Sequence, residues 1–177
     1  MKLPCRRQFL NLVSGAAFAG SLALLSATNV QAEESQLLGT WKLKSWVREL
    51  VGTSERYDQA GERPDGYLSY SADGRMYVFI AWDNRIRPRE AVPTDEERIK
   101  LHKTMLAYGG TYTVQGDKVI HHLDASWDQT LVGTNQVRFF KLDGNILTIK
   151  TEPNKSLADG REGQGVIVWE KVKPPTQ

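Results

Sequence analysis

Three short pairs, Asp73-Gly74, Gly116-Asp117 and Asp143-Gly144, divide much of the chain into runs of alternating polar and apolar residues. Such pairs suit the tight turn between two antiparallel strands, because glycine adopts the positive φ that the turn needs. Residues 66–82, GYLSYSADGRMYVFIAW, therefore read as a hairpin. GTYTV and KVIHHLDAS flank the second turn, and NQVRFFKL and NILTIKT flank the third. GTWKLKSWVREL (39–50) precedes them and GVIVWEKV closes the series, for about eight strands. Short strands at regular spacing predict an antiparallel meander or barrel. In the 39–50 run, alternation sends Lys42, Lys44 and Arg48 to water and Trp41, Leu43, Ser45 and Val47 inward. Residues 51–65 read as a polar loop, 152–165 as a mobile loop, and PPTQ at the end as a tail.

One segment breaks the pattern. Thr94 with Glu97 three residues on forms a capping box, and Asp95 and Glu96 favour a helix N-terminus. Leu101, Met105 and Tyr108 fall on one helical stripe, and Gly109-Gly110 supplies a stop. The expectation is a helix over 94–108 that covers the open end of a barrel as a lid.

The first 34 residues, MKLPCRRQFLNLVSGAAFAGSLALLSATNVQAEE, have a basic start, a short apolar stretch and small residues around Val30-Gln31-Ala32. That is the pattern of a signal peptide over 1–32 with cleavage after Ala32, leaving a domain at 33–177. The apolar stretch is broken by Ser and Gly, so a permanent membrane span is not expected. Arg6-Arg7 with Phe9 and Leu10 resembles the twin-arginine signal, a Sec signal with two arginines being the alternative. The expected location is periplasmic or secreted. Cys5 is the sole cysteine and lies in the signal, so the mature chain has neither disulfide nor thiolate chemistry. Lys2, Arg6 and Arg7 leave with the signal, so Lys plus Arg falls from 23 to 20 against 21 acidic residues. That balance, without a basic cluster, gives no reason to expect a nucleic-acid partner.

His121 and His122 are neighbours in KVIHHLDAS, and the third histidine is His102. Adjacent strand residues point to opposite faces, so the pair does not converge on one metal ion. Parity places His121 inward with Val119 and Leu123, and His122 outward with Lys118 and Asp124. His121 then either is a hydrogen-bonded core residue or lines a pocket, where a near-neutral side chain serves binding or proton transfer. Arg138 shares the inward face of Phe140 and Leu142. A buried arginine needs a partner, so it either stacks on Trp41 or holds an anionic group of a ligand. Tyr70 and Tyr112 have inward parity and a hydroxyl handle, and Met105 and Tyr108 belong to the helical stripe. No nucleophile elbow, phosphate loop, dinucleotide fingerprint or calcium loop is present, and no cofactor is expected.

The ordered series LLGTWKLKSW, GYLSYSADGRMYVFI, LAYGGTYTV, VIHHLDASWDQTLVGTNQVRFFKLDGNILTIKT and VIVWEK resembles a bacterial lipocalin-like domain family over about residues 37–171. Gly39 and Trp41 stand as the G-x-W of lipocalins. The resemblance implies an eight-stranded antiparallel barrel, open at one end, with the tryptophan packed at the closed end against a basic residue. Arg138 is the candidate for that residue on chemistry. A helix over 94–108 is not a general feature of such barrels.

Three functions fit these readings. The first is an exported carrier of a small, mainly apolar molecule, with His121, Tyr70, Tyr112, Arg138, Tyr108 and Met105 as binding residues. The second is a cofactor-free isomerase, cyclase or dehydratase using His121, against which the lack of an inward carboxylate weighs. The third is a packed structural or interaction domain.

Overall fold

The computed structural model describes residues 35–155 and 160–173. The expected signal peptide at 1–32 and the tail at 174–177 lie outside the described residues. The strands are β1 (Gly39–Leu50), β2 (Arg56–Asp58), β3 (Asp65–Tyr70), β4 (Arg75–Ala81), β5 (Met105–Gln115), β6 (Lys118–Ser126), β7 (Asn135–Asp143), β8 (Ile146–Thr151), β9 (Asn154–Lys155) and β10 (Glu162–Lys171). An α-helix, α1 (Asp95–Lys103), joins β4 to β5, and a 3-10 turn at Gln129–Leu131 lies between β6 and β7.

The sheet runs in the order β2-β1-β3-β4-β5-β6-β7-β8-β10-β9, and β1 also pairs with β10. That last pairing closes eight strands into an antiparallel barrel and leaves β2 and β9 as short additions at its rim. Closure removes the free edges that an open sheet would expose. Gly39 pairs with Tyr70, so the start of β1 lies beside the β3–β4 turn. The β5–β6 and β7–β8 turns share that end, which is thus built from tight turns. The connections 51–64, 82–104 and 127–134 leave the opposite end, where β8 also ends and β10 begins. Gly74 and Gly144 take φ of +79° and +59° in two of the tight turns, as the hairpin reading requires.

The turn end is sealed. Trp41 is fully buried and its indole N–H donates to Leu37 O at 2.8 Å. Leu43, Tyr70, Met76, Tyr112 and Leu147 pack around it in the lower core. The cation over Trp41 is Lys171, with Nζ 4.9 Å from the ring centre, and not Arg138. Register explains the correction. Arg138 pairs with Val119 and Thr151, five residues up β7 from the turn at Asp143, whereas Lys171 pairs directly with Trp41.

Two expectations, the exposure of Arg48 and the loop at the ends of 152–165, change at a single irregularity in β1. Leu43 pairs with Trp169 and Ser45 with Val168, so Lys44 is an extra residue in the ladder. A bulge of one residue sends every later side chain to the other face. Trp46, Arg48 and Leu50 therefore turn inward, and Arg48 is buried at 7% exposure instead of facing water. Their neighbours on β10 are Gly163 and Gly165, where a Cβ would sit 3.0 Å from Arg48 Nε and 2.9 Å from Trp46 Nε1. Arg48 Nη1 donates to Asn154 Oδ1 at 3.0 Å, and Nη2 to the carbonyls of Asn154 and Arg161. These bonds hold the β9–β10 pairing of Lys155 with Glu162 and Asn154 with Gly163. The 152–165 segment, expected as a loop, thus carries β9 and the first residues of β10, with 156–159 outside the described residues.

The helix is shorter than its periodicity predicts. The capping box of Thr94 and Glu97 is present, and Lys100, His102 and Lys103 sit in the last turn. Thr104 ends the helix, with its Oγ1 donating to Lys100 O at 2.8 Å. From Met105 the chain pairs with β4, starting at Ala81. Pairing with an existing strand outweighs the helical stripe, so Met105 and Tyr108 are strand residues and Gly109-Gly110 stops nothing. Gly110 instead permits close packing, since a Cβ there would lie 1.9 Å from His122 O. The helix stands at the open end with no buried residue, so it does not plug the barrel.

Candidate functional site

Above the sealed lower core the barrel interior opens into a cavity to which all eight barrel strands contribute. Its walls are Leu68, Val78, Ile80, Leu106, Ile149 and Ile167, with the rings of Trp46, Tyr108 and Trp169 and the polar groups of His121, Arg138 and Thr151. The cavity is small, with a volume of about 40 Å³. The site is a narrow apolar slot with a few polar groups, suited to a slim molecule. Trp46 meets Trp82 edge-on, with ring centres 5.4 Å apart.

His121 is 1% exposed and both ring nitrogens are engaged. Nε2 lies 2.7 Å from the Tyr70 hydroxyl and Nδ1 lies 3.2 Å from the Tyr108 hydroxyl. The three residues come from β3, β5 and β6 and meet because each has inward parity. Burial, with smaller contributions from the charges of Arg138 and His122, holds the imidazole well below its usual pKa, so it is neutral. Burial likewise raises the Tyr70 phenol well above its ordinary value. Tyr112 supports the group from below: its ring packs 4.8 Å from that of Tyr70, and its hydroxyl donates to Ser71 O. Tyr70 and Tyr112 are thus one layer beneath the cavity wall, while His121, Tyr108 and Arg138 form part of it. Met105 starts β5 beside Ala81 and is not part of the wall.

His122 points outward as parity requires. Its Nδ1 lies 2.7 Å from Asn135 Oδ1 and its Nε2 3.0 Å from Thr113 Oγ1. Among the described residues no group of three His, Cys, Asp or Glu side chains is arranged to hold a metal. No described helix is long and apolar enough to cross a membrane.

Arg138 bends along its own strand, donating from Nη1 to Val137 O at 2.9 Å and from Nη2 to Gln136 Oε1 at 3.3 Å. None of the ion pairs among the described residues includes it. Trp169 is 1% exposed and its buried Nε1–H has no acceptor among the described residues.

Trp46 and Trp169 are cavity residues that the sequence did not single out. Trp169 shares parity with Ile167 and was legible as inward. Trp46 was hidden by the bulge at Lys44.

A closed, eight-stranded antiparallel barrel, sealed at its turn end by a buried tryptophan and hollow above, is the architecture of the lipocalin class. Residues 38–172 match the Lipocalin-like domain family, and the chain belongs to it. No curated protein matches the chain.

Proposed function

We propose that the protein is an exported carrier that binds a small, mainly apolar molecule in the barrel cavity. The observation that carries this reading is the slot itself. A barrel of this size has room for side chains to fill it completely. Here the lower half is filled and the upper half keeps free space, walled mainly by aliphatic and aromatic groups. The same family membership and barrel are consistent with small-ligand binding. The His121–Tyr70–Tyr108 group stiffens one wall, and Arg138 and Tyr108 give the slot polar anchors.

Export rests on the first 32 residues, whose Arg6-Arg7 and small-residue site support the twin-arginine route. Replacing both arginines by lysine is expected to leave the protein in the cytoplasm. Unchanged export would favour the Sec route.

Native mass spectrometry of protein purified gently from its own cells tests the carrier reading. The expected result is a discrete added mass in the wild type that disappears in Ile167→Phe, which fills the slot. A bare chain in both, or the same added mass in both, would overturn it.

A further inference from the structure

The polar groups of the slot are not chemically balanced, and the imbalance names the ligand's headgroup. Tyr70, neutral His121 and Tyr108 together carry three polar protons but make two hydrogen bonds with one another. One hydroxyl proton is therefore left over. Burial assigns it, since Tyr70 is 1% exposed and lies off the cavity wall, while Tyr108 lines it. Tyr70 thus donates to Nε2, Nδ1–H donates to the Tyr108 oxygen, and the Tyr108 O–H remains. The opposite arrangement would strand the Tyr70 proton in the sealed core, where an unsatisfied donor is costly. Tyr108 lines the cavity and Tyr70 does not. By accepting from Nδ1–H, the Tyr108 hydroxyl also becomes a stronger donor.

Two more residues that carry N–H donors border the same slot. The Trp169 indole N–H is buried and has no acceptor among the described residues. Arg138 brings a guanidinium cation with five N–H protons, two of which go to Val137 O and Gln136 Oε1. No carboxylate lines the cavity. Thr151, the remaining polar group, is already spent: its hydroxyl donates to Glu152 O and accepts from Gly165 N–H. The protons left over belong to three donors, one of them charged.

We propose that the slot selects a slim apolar molecule bearing a carboxylate head, recognised by Arg138, the Tyr108 hydroxyl and the Trp169 indole N–H. This rests on the carrier reading and adds the headgroup to it. A carboxylate offers lone pairs to all three donors and supplies the charge that Arg138 lacks in the slot. An ammonium head offers protons to a site already full of them. An alcohol can accept, but without charge assistance.

Titrating 15N-labelled protein with hexanoate, 1-hexanol and hexylammonium separates these cases, with the Trp169 indole cross-peak, assigned by its loss in Trp169→Phe, as the readout. Hexanoate is expected to bind about tenfold more tightly than 1-hexanol, the gain typical of a charge-assisted hydrogen bond. Hexylammonium is expected to leave the peak unmoved, and Arg138→Met to abolish the preference while keeping the response to 1-hexanol. The comparison of probes on the unaltered protein stands even if that variant does not fold. Equal or tighter binding of 1-hexanol or hexylammonium would overturn the headgroup and leave the carrier reading intact. If no probe shifts the Trp169 peak, both fall.

Discussion

The Tyr70 hydroxyl and His121 Nε2 lie 2.7 Å apart, with each side chain 1% exposed. This contact explains why a histidine is tolerated inside an otherwise apolar barrel. It also makes the fold sensitive to acid. Burial keeps folded His121 neutral, while in the unfolded chain it titrates near the ordinary histidine value of about 6.5. Well above pH 6.5 neither state carries the proton. Below it the unfolded chain takes up a proton that the folded chain refuses, so stability falls with falling pH, by about 1.4 kcal/mol per unit. The loss continues down to the depressed folded value. Urea unfolding across this range is expected to show a steeper decline in the wild type than in His121→Gln. Parallel curves would remove His121 from the pH response. Tyr70→Phe leaves Nε2 without its donor and is expected to cost about 1–3 kcal/mol.

Arg48 ties β1 to the β9–β10 rim through Asn154 and the Arg161 carbonyl. Arg48→Met keeps most of the packing volume and removes the three bonds. The expected loss is about 1–3 kcal/mol, with faster proteolytic cleavage between residues 152 and 161. Protection of that segment equal to wild type would show that the rim holds without the guanidinium.

Lys171 caps Trp41 with its ammonium and donates to Gln36 O at 3.0 Å. Lys171→Ala is expected to destabilise the barrel by about 1 kcal/mol, and Lys171→Arg to retain most of that. Thermal unfolding measures both, and an unaffected alanine variant would show that burial of Trp41 alone seals the turn end.

Much of this architecture can be read from the sequence because its signals are local. Asp73-Gly74 and Asp143-Gly144 set turns that need positive φ, and the strands beside them alternate cleanly. Parity separates His121 from His122 for the same reason. The misreadings come from non-local pairing. A bulge at Lys44 leaves no mark in GTWKLKSWVREL, since Trp41 and Trp46 both look inward-facing under one phase or the other. Met105–Tyr108 satisfies a helical stripe and a strand equally well, and β4 decides between them. Arg138 and Lys171 are both cations near an inward face. Only closure of the barrel shows which one reaches Trp41 and which one reaches the slot.

The location of a bound probe decides whether the barrel slot is the binding site. Intermolecular nuclear Overhauser effects between 1-hexanol and methyl-labelled protein identify the side chains within contact of the ligand. Contacts are expected to the methyl groups of Leu106, Ile149 and Ile167 inside the barrel. Contacts confined to outward-facing methyls such as those of Ile86, Val92 and Val172, or none at saturation, would contradict it.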